Sequence, residues 1–271
     1  MIYIFADIDG TIRQFDGSIA ESTVTAIHKL RENGCKVLIC SGRPEAEIEQ
    51  NVLDIGFDGI VSSAGARVTY EGKCVVQRTV EDSVMQRFVR YASGHEYLVV
   101  CQNHRGSYIL RRQLATYTMI SNETQKRLGE TNKRLLLLPA PVDTVEDLKD
   151  TEKFMFFGSV VPTDALTWMW TDQFDFLPFS FPCPVPYGGE GSIAGVDKGY
   201  GIRELCRAVG ADLRDTIAIG DSGNDIPMLK TAGRAIAMGN GTPDALNAAD
   251  MVTDNIGDDG FANAFRKLGF I

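Results

Sequence analysis

The chain lacks most of what would take it out of the ordinary globular class. Its six cysteines (Cys35, Cys40, Cys74, Cys101, Cys183 and Cys206) include no Cys-x-x-Cys pair, so neither a zinc site nor a disulfide framework is indicated. Reduced and mostly buried thiols are expected instead. No apolar run approaches the ~18 residues that a membrane span needs. The apolar start, residues 1–6, is too short for a secretory leader and has no basic flank. Low-complexity tracts and internal repeats are absent. Positive charge is in deficit, with 27 Lys and Arg against 36 Asp and Glu and a formal charge of −9. That balance disfavours nonspecific binding to nucleic acid, which needs a basic surface. It leaves room for small phosphorylated molecules, which one lysine, backbone N–H groups and a metal ion can hold. The expectation is a cytoplasmic protein with no nucleic-acid and no membrane partner, monomeric or weakly dimeric.

What is present is a chain of 271 residues, 44% hydrophobic and 23% charged, long enough to bury a core without covalent staples. Both ends alternate short apolar strands with amphipathic helices. "IYIFA", "KVLIC", "GIV", "TIAIG", "RAIAM" and "MVT" read as strands, and "ARVTY-EGK-CVVQRT" as a hairpin. Helices are expected over 22–32, from Pro44 to about Gly56 (carrying Ile48, Val52 and Ile55), over 198–209, over "DIPMLKTAG", after Thr242-Pro243, and over "FANAFRKL". Such alternation predicts a Rossmann-like parallel sheet with helices on both faces. The middle differs: "YLVVCQN", "SYILRR", "KFMFFGSV" and "FDFLPFSF" are longer strand candidates with helical stretches between them. We read an α/β core over 1–81 and 187–271, with an α+β cap domain inserted at 82–186 to set specificity. The Pro-rich "FPCPVPYGGEG" is the expected return linker.

Three strands of the core end in polar residues: "IYIFA" in Asp7, "KVLIC" in Ser41 and "TIAIG" in Asp221. Ligands bind at the carboxyl ends of the strands of a parallel sheet, so these residues should line one crevice. Lys198, opening a helix, could enter it from the side. In an extended exit Asp7 and Asp9 point the same way, and Asp221 and Asp225 add negative charge. Unpaired carboxylates raise one another's pKa, a conflict that a hard divalent ion such as Mg²⁺ resolves. Asp7 could then attack phosphorus to give an aspartyl-phosphate. Asp9 would protonate the leaving alcohol and later activate water. Ser41 and the N–H groups around Gly42 would hold the phosphoryl oxygens. Taken singly, each motif reads equally well as a turn, a helix start or a surface lysine; the ordered conjunction carries the argument.

That conjunction resembles a known family. "DIDGT" at 7–11, "SGRP" at 41–44, "DKG" at 197–199 and "GDSGNDIPML" at 220–229 are similar to the four signature motifs of the haloacid dehalogenase (HAD) superfamily. The nearest resemblance is to its Cof-type phosphatases, whose type IIB cap is inserted between the second and third motifs. The resemblance implies Asp7 as nucleophile and metal ligand, and Asp9 as acid/base that also gives its backbone carbonyl to Mg²⁺. It further implies Asp221 as a ligand, Asn224 as a group orienting phosphate, and Asp225 and Thr11 as supports behind the ligands. Arg43 reaches either a substrate group or an acid. The implied activity is hydrolysis of a small phosphorylated metabolite, a sugar phosphate among the candidates. A sugar phosphomutase of the same fold and a noncatalytic ligand-binding protein are the alternatives. The chain departs from the family where Asn-Gly is usual and it has "SSAGA" (62–66), and where Glu-Ile-x-Pro is usual and it has "GSIAGV" (191–196).

The remaining candidates are read blandly. His28 is expected to face solvent on its helix, His95 and His104 to be loop or surface residues, and "WMW" (168–170) to be cap core.

Overall fold

A computed structural model describes residues 1–129, 137–179 and 181–271. Ser180, inside the expected strand "FDFLPFSF", lies outside the described residues. In chain order the elements are β1 (Tyr3–Ala6), α1 (Glu21–Glu32), β2 (Lys36–Cys40), α2 (Gln50–Leu53), β3 (Gly59–Ser62), β4 (Arg67–Tyr70) and β5 (Lys73–Gln77). They continue with α3 (Asp82–Gly94), β6 (Leu98–Asn103), β7 (Gly106–Leu110), α4 (Leu114–Leu128), β8 (Ala140–Val142), β9 (Lys153–Phe157), α5 (Thr163–Met169), β10 (Phe174–Pro178) and β11 (Gly188–Ile193). The last are α6 (Lys198–Val209), β12 (Thr216–Gly220), α7 (Ile226–Thr231), β13 (Arg234–Ala237), α8 (Pro243–Ala248), β14 (Met251–Val252) and α9 (Gly260–Lys267). The α/β class with an inserted α+β segment is as expected.

By its contacts the chain divides into two units. The first comprises Met1–Arg43, Ile48–Gln77 and Val196–Ile271. Its eight-stranded sheet runs β14-β13-β12-β1-β2-β3-β4-β5, parallel from β14 to β3, with β3-β4-β5 antiparallel. The turn between β4 and β5 places Glu71 and Gly72 at φ 48° and 75°, the signs a tight hairpin with right-handed strand twist requires. β1 is central, and Ile4 and Ala6 face one apolar cluster while Tyr3 and Phe5 face another. Burial on both faces explains why "IYIFA" shows no polar alternation.

The second unit comprises Pro44–Glu47 and Arg78–Gly195. Its sheet runs β10-β11-β9-β6-β7-β8 and is antiparallel except for the β7–β8 pair. α3 buries Met85, Phe88, Val89 and Ala92 against one face, with Phe154 and Phe156. On the other face α4 sets Tyr117 edge-on to Phe157.

Three local expectations change. The segment from Pro44 forms a 3₁₀ turn (Glu45–Glu47) and the one-turn α2 instead of one helix, and Ile48, Val52 and Ile55 are buried all the same. The expected linker contributes β11, because its glycines fit a crowded strand: a side chain at Gly191 would strike the Phe154 ring. Of "WMW", Trp170 is core, whereas Trp168 is 85% exposed at the outer side of a helix too short to bury two faces. His104 lies in the turn between β6 and β7, a loop residue as expected, with its Nδ1 3.1 Å from the fully buried carboxylate of Glu152. His28 and His95 are exposed, their rings bonded to the Ile55 and Tyr91 carbonyls. All six cysteines are free, with Cys74 exposed. Among the described residues no helix is long and apolar enough to cross a membrane.

Candidate phosphoryl-transfer site

The site is built in the first unit, where β1, β2 and β12 end side by side. Asp7 follows β1, and its N–H continues the ladder by donating to the Ile219 carbonyl at 3.0 Å. Ser41 follows β2 and Asp221 follows β12. Asp7, Ser41 and Asp221 are all buried, at 5%, 2% and 5% exposure. The exit of β1 is held shut by one acceptor: the Ile8 carbonyl takes the N–H groups of Thr11, Ile12 and Arg13. Gly10 sits at φ 92°, where a side chain is strained, and a Cβ there would lie 2.4 Å from Asp221 Oδ2. The motif's glycine is therefore required twice, by its own backbone and by the neighbouring carboxylate.

Lys198 arrives at the N-terminus of α6, capped by Asp197, whose side chain accepts the Tyr200 N–H at 2.6 Å. The Lys198 ammonium, fully buried, donates to Asp7 Oδ1 at 2.6 Å and to Asp225 Oδ1 at 2.5 Å. Asp225 Oδ2 in turn accepts the N–H groups of Asp221 and Ser222 at 3.0 and 2.9 Å. Both Asp225 oxygens are thus engaged, which makes it the anchor for Lys198 and for the turn after β12. Thr11, completely buried, holds its Oγ1 3.5 Å from Asp221 Oδ1.

One ammonium between two buried carboxylates leaves negative charge uncompensated. Burial, followed by repulsion from Asp225, pushes the Asp7 carboxyl from 3.8 up to about 7 despite Lys198. Burial pulls Lys198 down, but Asp225 and Asp7 outweigh it and hold the ammonium charged well above the ordinary lysine range. Ligand oxygens of Asp7, Asp221 and Asp225 lie within 4.8 Å of one another. A hard, all-oxygen donor set with excess negative charge fits a divalent ion of the Mg²⁺ type. Asp7, Asp221 and Asp225 are the side chains that could hold it, and of these Asp225 already takes hydrogen bonds on both oxygens.

The Ser41–Arg43 segment is tied to the turn after β3. Ser41 Oγ accepts the Arg43 N–H at 3.2 Å, the Ala64 N–H donates to the Ser41 carbonyl at 3.1 Å, and the Ser63 N–H to the Arg43 carbonyl at 2.8 Å. Gly42 lies half-buried between them. That turn is the departure "SSAGA": Ser63, Ala64 and Gly65 all have positive φ, at 50°, 53° and 98°. Only Gly65 is a glycine because only there does the chain meet another backbone; a Cβ would fall 2.0 Å from the Asp197 carbonyl. One turn therefore sets both the Ser41 segment and the start of the helix bearing Lys198. Asn224 is half-buried and accepts the Ser222 hydroxyl at 2.8 Å.

The structure thus gathers Asp7, Thr11, Lys198, Asp221 and Asp225 into one buried cluster. It places Asp9 differently, in ion pairs with Arg43 at 2.8 Å and Arg13 at 2.5 Å. Arg13 and Asn240 were not singled out by sequence. Asn240 donates to the Gly10 carbonyl at 2.9 Å and accepts the Ile256 N–H at 2.8 Å, bracing the β1 exit from the chain's far end. The isolated "MGNGT" carries no spacing signal for this, whereas Arg13, a charge inside the apolar-flanked "TIRQF", could have been questioned.

Comparison with known proteins agrees with this geometry. The haloacid dehalogenase-like hydrolase family matches residues 4–265. A phosphoglycolate phosphatase of Methanopyrus kandleri is 44% identical over 98% of this chain and 96% of its own. YkrA of Bacillus subtilis is 25% identical, covering 99% of this chain and 98% of its own. The solved structure of a HAD subclass IIB sugar phosphatase shares the fold, with a TM-score of 0.80 at 23% identity over 100% of both chains. With the four motifs in order and a family match that spans both ends of the first unit, the chain belongs to the haloacid dehalogenase-like hydrolases, as a Cof-type phosphatase.

Proposed function

We propose that this phosphatase is a Mg²⁺-dependent phosphomonoester hydrolase of small phosphorylated metabolites, working through an aspartyl-phosphate on Asp7. The observation that carries the reading is the buried Lys198 ammonium held between Asp7 and Asp225. A protein that only bound its ligand would gain nothing from burying a lysine with two carboxylates, an arrangement costly to desolvate. Asp7 attacks phosphorus while the ester P–O bond breaks, and Asp9 gives its proton to the departing alkoxide. In the second half Asp9 takes a proton from water, the water oxygen bonds to phosphorus, and the P–O bond to Asp7 breaks to restore the carboxylate. Ser41, the N–H groups around Gly42, Asn224 and Lys198 hold the equatorial oxygens as charge redistributes. Bound by Asp7, Asp221 and the Asp9 carbonyl, Mg²⁺ would offset the repulsion between Asp7 and an anionic phosphate.

The substrate is given as a class. Two of the three named relatives point to different members of it, one to phosphoglycolate and one to sugar phosphates. The inserted unit is the expected determinant of the choice. Release of inorganic phosphate from an aryl phosphate, with and without Mg²⁺, tests the reading. Asp7→Asn should lower turnover by more than about 1,000-fold and abolish the phosphoenzyme. An undiminished rate in that variant sinks the mechanism. Isomerised sugar phosphate without net phosphate release would instead make the protein a mutase.

A further inference from the structure

Beside the Asp7–Lys198 cluster stands a second charged group that the chemistry above does not use in full. Asp9, Arg13, Arg43 and Glu49 form a closed ring of alternating charge. Arg13 gives Nη1 to Asp9 Oδ1 at 2.5 Å and Nη2 to Glu49 Oε1 at 3.1 Å. Arg43 gives Nε to Asp9 Oδ2 at 2.9 Å, Nη2 to Asp9 Oδ1 at 3.0 Å and Nη1 to Glu49 Oε2 at 3.0 Å. Each charge touches two of the opposite sign, so the ring is neutral with Asp9 ionised, and Asp9 must take up a proton, as it does from water in the second half-reaction, before it can give one to a leaving group.

The two arginines are not equivalent. The Arg13 side chain is 4% exposed, against 19% for Arg43. The Arg13 backbone is part of the turn that carries Asp9: its N–H donates to the Ile8 carbonyl and its carbonyl accepts the Gly10 N–H, both at 2.8 Å. Asp9 and Arg13 are also bridged as a minimal strand pair. Arg43 instead rides on the Ser41 segment, where an anionic ligand would lie. Burying a guanidinium is costly unless it is fully paired, and a tight strand exit alone would accept an apolar residue at position 13. The buried charge is thus spent on the orientation of Asp9, with Glu49 holding the other side of the fork.

We propose that Arg13, braced by Glu49, is the positioning residue that keeps the Asp9 carboxyl directed at the leaving-group oxygen. Arg43 is the exchangeable member of the ring, able to turn toward the ligand's anionic oxygens while Arg13 retains Asp9. The proposal rests on the reading of Asp9 as proton donor to the leaving group, and the test separates the two. A misplacement of about 1 Å in a reacting group is enough to cost ~100-fold, and the loss must fall on the step that needs the proton.

The experiment compares a simple alkyl phosphate, whose alkoxide needs a proton to leave, with p-nitrophenyl phosphate, whose phenolate hardly does. In a single turnover, which reads release of the leaving group before water enters, Arg13→Met should slow the alkyl ester by about 10- to 100-fold and the aryl ester by no more than about 3-fold. Arg13→Lys should recover part of the alkyl rate, since it keeps the charge and loses the fork. Glu49→Gln should show the same selectivity at smaller size. A fold collapse would slow both esters together, so the ratio of rates distinguishes positioning from structure. If Arg13→Met does not fold, Arg13→Lys and Glu49→Gln carry the same comparison. Asp9→Asn is the reference: should it slow single-turnover release of both leaving groups equally, the role of Asp9 as their proton donor is wrong. Should Asp9→Asn be selective while the Arg13 and Glu49 variants are not, the positioning role is overturned and the hydrolase reading stands.

Discussion

The two units bury their charges for different ends. In the first, Lys198, Asp7, Asp225 and Asp221 converge where three parallel strands stop, and the set is left with surplus negative charge. In the second, Lys153 pairs with Glu190 at 2.8 Å, and the buried Glu152 carboxylate lies 3.1 Å from His104 Nδ1. The second unit is instead held by rings. Phe88 alone packs against Tyr97, Phe154, Trp170, Phe174 and Phe176, with centroids from 4.8 to 6.5 Å away. Parallel strands expose the ends of several β–α connections on one side, which allows charges from distant parts of the chain to meet. In the mostly antiparallel sheet of the second unit, side chains of neighbouring strands face one another, so Lys153 on β9 meets Glu190 on β11.

Three substitutions or conditions sharpen that contrast. Lys198→Met should have the largest effect, because it strands two buried carboxylates and removes charge from the reacting centre. A loss of about 3–5 kcal/mol in stability is expected, with turnover toward an aryl phosphate lowered by more than about 1,000-fold in the fraction that folds. Urea titration together with phosphate release measures both; a stable and active variant would erase the distinction between the units. Phe88→Ala should be purely structural, costing about 3–4 kcal/mol through the cavity it leaves. Its aryl-phosphate turnover, assayed below the melting transition, should stay within about 2-fold of the parent.

The smallest effect is a dependence on pH. The Asp7 carboxyl is raised from 3.8 to about 7 in the fold, so the native state binds this proton more tightly than the unfolded chain. That contribution to stability is complete below about pH 4 and is lost as pH rises toward about 7. Mg²⁺ competes with the same proton, so its stabilising effect should grow across that window. A rise in Tm with Mg²⁺ that is a few degrees larger at pH 8 than at pH 5 is the expected result. An equal rise at both values would place the ion away from Asp7.

Much of this contrast is legible in the sequence. Strands buried on both faces read as unbroken apolar runs, and the three polar strand ends point to a common crevice. The less visible parts are those in which spacing carries no information. Gly65 is determined by the Asp197 carbonyl, 132 positions away, and Asn240 by the Gly10 carbonyl, 230 positions away. β11 hides because glycines argue against a strand unless a ring occupies the space of the missing side chains, as Phe154 does at Gly191. Arg13 adjoins the motif but belongs to none of its four signatures, so its role emerges only from the fork it makes with Asp9 and Glu49.

The separation of Asp7 from Lys198 has a consequence in time. β1 becomes the centre of its sheet only when β12 pairs with it, and the ammonium that faces Asp7 is made 191 residues later. At roughly 5–20 residues per second, synthesis leaves about 10–40 s during which Asp7 exists without its counter-charge. The half of the first unit made early can collapse around β2 and β3, but β1 keeps one bare edge until the rest emerges. The charge that faces Asp7 therefore arrives on α6, just ahead of β12, the strand that covers the open edge of β1.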